Sequence, residues 1–340
     1  MKKFLIPEGG QFYKANLHCH TNISDGSLTP EEVKEIYVNH GYSIVAYTDH
    51  DAYIPHPELA DENFLPLNGM ELAVMDDEPV WVLKPLMHMC LIALEPDNFL
   101  QPCYHRTKYL DYGNAPNYRD QIRFDESLPD YEREYTPECV SDIMKTAREK
   151  GFFVTYNHPY WSQETPAQSC NYHGMHAMEI CNYATLVNGY PEYDEKEYDY
   201  MLRSGERIFC IAADDNHNHN PADSRKWDSF GGFTMIKAEK LDYKTITDAL
   251  VAGHFYASQG PEIHALWMED NRIHITCSPA DRIFLNTGVR LASSRYAEKG
   301  QSLTEMDFEV KPEFGYVRIT VVDKNGNRAN TNAYFTDEIL

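Results

Sequence analysis

The most constraining feature of the chain is a pair of short segments rich in His and Asp, each next to a short apolar strand. They are residues 16–25 (NLHCHTNISD) and 45–51 (VAYTDHD). His18 and His20 are two positions apart, so both imidazoles lie on the same side of an extended strand. Strand, helix and strand with polar residues at both strand ends is the arrangement by which a parallel α/β barrel builds a site at its C-terminal face.

The residue types at these strand ends are metal ligands. Neutral imidazole and ionised carboxylate are the groups that Zn, Mn and Fe accept. A single His-x-His is a weak indicator, because such pairs occur by chance on protein surfaces. Together with Asp25 and the Thr-Asp-His50-Asp sequence at a second strand end, it makes metal binding the favoured interpretation.

The same alternation of helix and strand recurs along the chain. A first helix is predicted to begin at Thr29, an N-cap followed by Pro and Glu, and to end at Gly41. A second is predicted to begin at Thr136 and to end at Gly151, and an apolar strand then leads to His158. This series predicts an α/β fold built of βα units.

Polar residues at the ends or starts of predicted strands form the candidate ligand set. Taken singly, His88 could be a core histidine, Glu71 a solvated acid, and the pair Asp214-Asp215 a helix cap. Their order around the predicted barrel favours one shared site. The nine candidates are His18, His20, Asp25, His50, Glu71, His88, His158, Asp215 and His217.

Charge and cysteine content narrow the class of protein. Lys+Arg number 30 and Asp+Glu 53, a net charge of −23. This balance disfavours stable binding to nucleic acid or to an anionic membrane. The eight Cys are scattered without a Cys-x-x-Cys, which predicts free thiols in a reducing compartment.

Targeting signals are not evident. Three apolar residues before Pro7 are too few for a secretory signal, and no apolar run reaches the roughly 20 residues of a transmembrane helix. We therefore expect a cytoplasmic protein.

Residues 98–135 interrupt the βα rhythm. They contain six Tyr and several Arg and Lys but little apolar periodicity. A loop of this length in a compact domain is usually functional or disordered, and its aromatic content argues against disorder. We predict that it covers a substrate, emerging from the end of the strand that begins near His88. The alternative is a surface loop or an oligomer contact.

From about residue 262 the pattern changes to short alternating strands and turns, including an Asn325-Gly326 hairpin signal. This predicts a barrel domain over 1–261, with the insertion 98–135, and a small antiparallel β unit over 262–340. The β unit contains no ligand constellation, so packing or formation of a homo-oligomer is its expected role.

The motifs in order resemble those of the polymerase and histidinol phosphatase (PHP) family. They are His18-x-His20 followed by Asp25, Thr-Asp-His50, Gly-x-Glu71, a strand-initial His88, Asn-His158-Pro and Asp215-x-His217. The resemblance runs from about residue 13 to 218. It implies a distorted (β/α)7 barrel of the TIM-like type, up to three divalent metal ions and hydrolysis of phosphoesters.

The resemblance also implies how the ligands are shared. His18, His20, Glu71 and Asp215 would hold one ion; Glu71 would bridge to a second held by His88 and His158; Asp25, His50 and His217 would hold the third. Asp214 competes with Asp215, and the family's Asp-x-His pattern selects Asp215. Glu71, Asp215 and His217 are the expected catalytic residues.

The expected function is a metal-dependent phosphoesterase in which a bound hydroxide attacks phosphorus in line. The expected substrate is a small phosphomonoester or short nucleotide, and the expected cofactors are two or three Mn, Fe or Zn ions. One alternative is hydrolysis of a non-phosphate ester or carbamate, and another is a non-catalytic metal-binding module. Expected substrate-binding residues are Arg106, Arg119, Arg225 and Lys226.

Overall fold

The computed structural model describes residues 2–191 and 193–340. Its helices are α1 (Pro30–Asn39), α2 (Pro137–Glu149), α3 (Pro166–Ser169), α4 (Tyr183–Val187), α5 (Glu195–Ser204), α6 (Tyr243–Val251) and α7 (Thr336–Ile339). Across these described residues, no helix combines the length and apolar character needed to cross a membrane.

The strands divide into an earlier and a later set. The earlier strands are β1 (Lys3–Phe4), β2 (Gln11–Asn16), β3 (Ile44–Tyr47), β4 (Leu65–Met75), β5 (Leu86–Ala93), β6 (Phe152–Tyr156), β7 (Ala177–Asn182), β8 (Phe209–Ala213), β9 (Phe233–Ala238) and β10 (Phe255–Ser258). The later strands are β11 (Ile263–Glu269), β12 (Arg272–Ala280), β13 (Arg282–Thr287), β14 (Ala292–Tyr296), β15 (Leu303–Glu309), β16 (Tyr316–Val322), β17 (Arg328–Thr331) and β18 (Tyr334–Phe335).

Strands β2 to β8 pair in chain order and form one arc. The pairs β2–β3, β3–β4, β6–β7 and β7–β8 are parallel, whereas β5 is antiparallel to both its neighbours. The two ends of the arc meet at the short pairing of Cys19 with Asn216, where the His20 N–H donates to the Asn216 carbonyl at 3.1 Å and the Asp215 N–H donates to the His18 carbonyl at 2.9 Å. The mixed α/β class is confirmed, but no continuous ladder closes the arc into a barrel within the described residues.

The direction of β5 decides where His88 lies. Because β5 runs against β4 and β6, its first residues stand at the edge where those strands carry their C-terminal polar residues. His88 is the third residue of β5 and pairs with Ala73 of β4. A histidine at the start of this strand therefore joins ligands that lie at the ends of the others.

The same direction corrects the expected path of residues 98–135. The chain leaves β5 at the edge opposite the ligands, so the prediction that this insertion emerges directly at the site is wrong. The insertion returns to the ligand edge further along, where the Asn114 N–H donates to the Ser24 carbonyl at 2.7 Å. It thus reaches the site by packing and not by connectivity.

Both predicted helix starts are confirmed. The Thr29 hydroxyl accepts the Glu32 N–H at 3.2 Å, and the Glu32 carboxylate accepts the Thr29 N–H at 2.8 Å, which completes a capping box. The Thr136 hydroxyl accepts a backbone N–H from the first turn of α2. These caps set where each helix leaves the edge of the arc.

Apolar side chains fill the inside of the arc away from the polar edge. Leu67, Ile92, Phe153 and Ile211, from four different strands, form one buried cluster. Helix α6 contributes Ile246 and Leu250 to the same cluster. A closely packed apolar cluster of this kind keeps the polar edge of the arc rigid.

The predicted C-terminal antiparallel β unit is present. Strands β11, β12 and β15 form an antiparallel sheet with β1, and β13, β14, β16 and β17 form a second set. The hairpin at Asn325-Gly326 joins β16 to β17, as predicted. Strand β1 pairs with β11, and β10 pairs with β17, so strands from before residue 261 share sheets with strands from after it. The domain boundary at 261/262 therefore stays a prediction.

A buried ion pair fastens the β unit to the arc. Arg318 of β16 is 2% exposed, and its guanidinium donates to both carboxylate oxygens of Asp199 in α5, at 3.0 and 2.8 Å. It also lies 3.4 Å from Glu195 of the same helix. This planar two-bond contact is the strong form of an ion pair.

Arg318→Met is expected to destabilise the protein by about 3 kcal/mol, because it leaves two partly buried carboxylates without their cation. Urea unfolding followed by circular dichroism measures the change. Arg207→Met is the matched control, since Arg207 pairs with Asp337 at the surface and should cost less than about 1 kcal/mol. Equal losses in the two variants would contradict this account of the junction.

Candidate metal centre

All nine predicted ligands lie together at the polar edge of the arc. His18 and His20 follow β2, His50 follows β3, and Asp215 and His217 follow β8. Glu71 lies within β4, where it pairs with Cys90 of the antiparallel strand β5. The structure therefore brings the predicted residues together from strands that are far apart in sequence, while their role as ligands stays a prediction.

The first group consists of His18, His20, Glu71 and Asp215, whose ligand atoms lie within 4.8 Å of one another. The Asp215 Oδ1 atom is 3.2 Å from His18 Nε2 and 3.0 Å from His20 Nε2. The Glu71 Oε1 atom is 3.1 Å from His18 Nε2. These are the four residues that the PHP resemblance assigns to one ion.

The second group surrounds Asp25. Its carboxylate lies 3.7 Å from His50 Nε2 and 3.6 Å from His217 Nε2. His20 Nδ1 lies 3.8 Å from the same carboxylate, which adds His20 to the three residues expected here.

The third group consists of His50, Glu71 and His88, and it shares Glu71 with the first group. His88 Nδ1 and His158 Nε2 lie 3.3 and 3.1 Å from Glu71 Oε1, as the resemblance implies. His50 Nδ1 lies 3.1 Å from the other oxygen, Oε2, and joins this group as well. Glu71 thus stands between two groups, the place expected of a bridging carboxylate.

The donor atoms of this cluster fit bound cations. Among the described residues, several buried side-chain atoms have no hydrogen-bond partner, including Trp227 Nε1 and Tyr334 Oη outside this cluster. Four such atoms lie within the cluster: His20 Nδ1, His50 Nδ1, Glu71 Oε2 and Asp215 Oδ1. A buried polar atom without a partner is costly, and native structures rarely leave one. All four belong to the predicted ligands, and the mixture of imidazole and carboxylate suits Mn, Fe or Zn. The residues present therefore fit divalent metal ions.

The pKa shifts within the cluster show which of its groups carry charge. Burial acts to raise the pKa of Asp215, but the neighbouring His18 and His20 outweigh it and hold that pKa well below its usual range. Burial acts to lower the pKa of His20, yet Asp215 and Glu71 raise it well above the usual value. The carboxylates thus stay ionised, which is the form in which they bind a metal ion.

Glu179 is a site residue that sequence reasoning did not assign. Its Oε1 atom is 2.7 Å from His18 Nδ1, and its Oε2 atom accepts the His158 N–H at 3.0 Å. A carboxylate behind a ligating imidazole fixes the tautomer and orientation of the ring. The signal that could have identified it is a Glu within β7, a strand that is otherwise short and largely apolar.

Side-chain amides hold the carboxylate ligands in place. Asn157 Nδ2 donates to Glu71 Oε1 at 2.8 Å, and Asn182 Nδ2 donates to Asp215 Oδ2 at 3.1 Å. Asp215 adopts a φ of 54°, in the left-handed region that L-residues seldom occupy. Backbone strain of this kind is typical of functional sites.

Asp214 and Asp215 have different environments. The Asp214 carboxylate accepts backbone N–H groups from Phe230, Gly231 and Gly232 at 2.8 to 2.9 Å, together with the Tyr37 hydroxyl at 2.8 Å. Burial raises the pKa of Asp214 to about 7. Asp214 therefore orders a loop, while Asp215 faces the ligand cluster.

A cavity of about 290 Å³ opens above the cluster. Within the described part of the chain, Lys226 is the only one of the four predicted substrate-binding residues that lines it. Other residues around it include Tyr112, Trp161, Thr185, Asn188 and Asn220.

The other three cations are not brought to the cavity. Arg106 binds Asp130 at 2.7 Å and donates to carbonyls of its own segment. Arg119 donates to the Arg106 carbonyl at 2.8 Å, and Arg225 is exposed elsewhere on its loop. Arg106 and Arg119 use their guanidinium groups to satisfy acceptors within the insertion, which explains why these two do not face a substrate.

Comparisons with known proteins give a limited result. No protein-family model matches the chain, and no curated protein matches it. A structure from Bacteroides vulgatus, described as a two-domain protein containing a predicted PHP-like metal-dependent phosphoesterase, is 14% identical with a TM-score of 0.45. That match covers 98% of this chain and 90% of the other.

Two further structures are similar at lower scores. A candidate metal-dependent phosphoesterase from Bifidobacterium adolescentis is 17% identical, with a TM-score of 0.38, over 64% of this chain and 91% of that one. An amidohydrolase from Chromobacterium violaceum, with bound sulfate and no metal, is 14% identical, with a TM-score of 0.36, over 60% and 87%. Of these names, the first contains the term PHP-like and the second names a metal-dependent phosphoesterase. At such scores any functional conclusion rests on this chain's own residues.

Asp215→Asn is expected to weaken binding of divalent ions at least about 10-fold, because it removes charge from a ligand. Asp214→Asn is the matched neighbour: it should keep the ions and lose about 1–3 kcal/mol of stability, since backbone donors lose a charged acceptor. Calorimetric Mn²⁺ titration and urea unfolding of both variants separate the two effects. Loss of ions in Asp214→Asn alone would show that the ligand assignment is off by one residue.

Proposed function

We propose that the chain is a metal-dependent phosphoesterase of the PHP type, holding two or three divalent ions at the edge of a distorted (β/α)7 arrangement. The observation that carries this proposal is the set of buried, unpartnered ligand atoms around Glu71. Three overlapping groups of ligands exceed what a single ion needs. Clusters of divalent cations suit substrates whose oxygens carry several negative charges.

Bound divalent ions would supply Lewis-acid stabilisation of phosphoryl oxygens and lower the pKa of a coordinated water. The chain's own part is to hold them. Glu71 and Asp215 contribute the buried negative charge, and Glu179 orients His18. We propose Glu71, Asp215 and His217 as the catalytic residues, because each also lines the cavity where a substrate would lie.

The overall charge of −23 would repel an anionic substrate, so local positive charge has to overcome it. Cations in the cluster would invert the local sign. Lys226 lines the cavity and adds an ammonium group from the protein itself. A small phosphorylated molecule is therefore the proposed partner, whereas the acidic chain does not suit stable nucleic-acid binding.

The proposal also includes a cellular location and self-association. The eight Cys are free thiols, in keeping with a reducing cytoplasm. Self-association through the C-terminal β unit stays a prediction.

A substrate panel tests the proposed activity. The protein is reconstituted with Mn²⁺, Fe²⁺ or Zn²⁺ and assayed on phosphomonoesters, dinucleotides and carboxyl esters. We expect at least one phosphoester class to be cleaved, with the activity lost on chelation and in Glu71→Gln. Cleavage of carboxyl esters alone would favour the alternative hydrolase. Absence of turnover in a fully loaded protein would favour a non-catalytic module.

Lys226→Met is expected to raise KM for an anionic substrate roughly 10-fold with a smaller effect on kcat, because it removes a charge that contacts the substrate before and during reaction. Arg225→Met is the control: it removes the same charge one residue away, from a side chain that does not line the cavity. Steady-state kinetics compare the two. Equal effects would mean that general electrostatic attraction is responsible and not a contact by Lys226.

A further inference from the structure

Four aromatic rings stack into a column that passes through the candidate metal centre. Tyr112 lies 4.0 Å from His50, between ring centroids, with an interplanar angle of 20°. His50 also lies 4.3 Å from His20 at an interplanar angle of 31°, and His20 lies 4.3 Å from His217 at 22°. Three of the four rings belong to the group around Asp25, and the fourth comes from the insertion 98–135.

The position of Tyr112 is fixed by its neighbours in the chain. Gly113 has a φ of 50°, and a Cβ atom there would lie 2.1 Å from the Ser24 carbonyl oxygen, so only glycine fits this approach. Asn114 donates its backbone N–H to the Ser24 carbonyl at 2.7 Å and its side-chain amide to the Asn22 carbonyl at 3.0 Å. The insertion is thus attached to the loop that carries Asp25.

A second anchor lies near the far end of the insertion. Arg133 binds Asp51 at 2.6 Å, and both side chains are 2% exposed. The same guanidinium donates to the Ala73 carbonyl at 2.8 Å and lies over the Tyr109 ring at 4.3 Å. Asp51 directly follows His50, so the insertion is attached next to this candidate ligand as well as to the loop that carries Asp25.

We propose that Tyr112 is a positioning residue that fixes the plane of His50, and that the insertion thereby completes the ion site formed by His20, Asp25, His50 and His217. The imidazole of His50 is held between two flat rings, which restricts rotation about its Cβ–Cγ bond. Removing one of the two rings widens the orientations open to His50. The inference rests on the proposed metal centre and assigns one of its sites a dependence on residues 98–135.

This role differs from simple coverage of a substrate. A covering residue would change KM and leave the ions in place, whereas a positioning residue changes the affinity of one ion before any substrate is present. The hydroxyl of Tyr112 donates to Met75 Sδ at 3.5 Å and lies 3.5 Å from His88 Nε2, which is long for a bond to nitrogen. The Tyr112 ring lies against the face of His50, so the ring is the part of the side chain that is expected to fix the plane of the imidazole.

The test is Mn²⁺ binding to the full chain, measured by calorimetry and by metal analysis after gel filtration. Tyr112→Leu should lose one ion per chain, or bind one class of ion about 10-fold more weakly, while the remaining ions bind as in wild type. Tyr112→Phe keeps the ring and should restore wild-type binding. Tyr104→Leu is the matched control, because Tyr104 stacks on Phe124 within the same insertion.

The outcomes distinguish a failure of the role proposed for Tyr112 from a failure of the proposed metal centre. Wild-type binding by Tyr112→Leu, or equal loss in Tyr104→Leu, overturns the role of Tyr112 and leaves the metal centre standing. A wild-type protein that binds fewer than two ions overturns the centre and the role of Tyr112 with it. If Tyr112→Leu does not fold, Asn114→Ala loosens the same anchor and should weaken the same ion; unchanged binding there also overturns the proposal.

Discussion

The rest of the site depends on the contacts between the Glu71 carboxylate and the imidazoles around it. It is 1% exposed and lies 3.1 to 3.4 Å from five imidazoles, those of His18, His20, His50, His88 and His158. A buried charge is tolerated only where opposite charge and hydrogen bonds compensate for the lost water. The strand ends of the arc bring these imidazoles to Glu71 from several separate segments, so the candidate ligands are arranged around one acid within β4.

Groups outside the ligand set then hold this edge in shape. Glu179 supports His18 from behind, and Asp214 gathers three backbone N–H groups of a loop next to Asp215. Tyr112 and Arg133 bring the insertion against His50 and Asp51. The ligands are therefore embedded in a layer of charged and aromatic contacts, the arrangement by which proteins set the orientation and affinity of metal ligands.

The parts of this structure that follow local rules could be predicted from the sequence. The capped start of α1 depends on Thr29 and Glu32 alone, and the shared side of His18 and His20 depends on strand periodicity. The direction of β5 could not be predicted, because it is set by the strands with which β5 pairs. Arg106 shows a second limit: a loop cation has the same sequence signature whether it contacts a substrate or its own segment. Glu179 shows a third, since its role appears only when β7 lies beside His18.

Anomalous diffraction from crystals grown with Mn²⁺ tests the central claim most directly, because it locates each ion independently of any substrate. The account predicts two or three peaks within the ligand cluster, with the Glu71 carboxylate in contact with more than one of them. A single peak, or ions bound away from Glu71, would contradict the account.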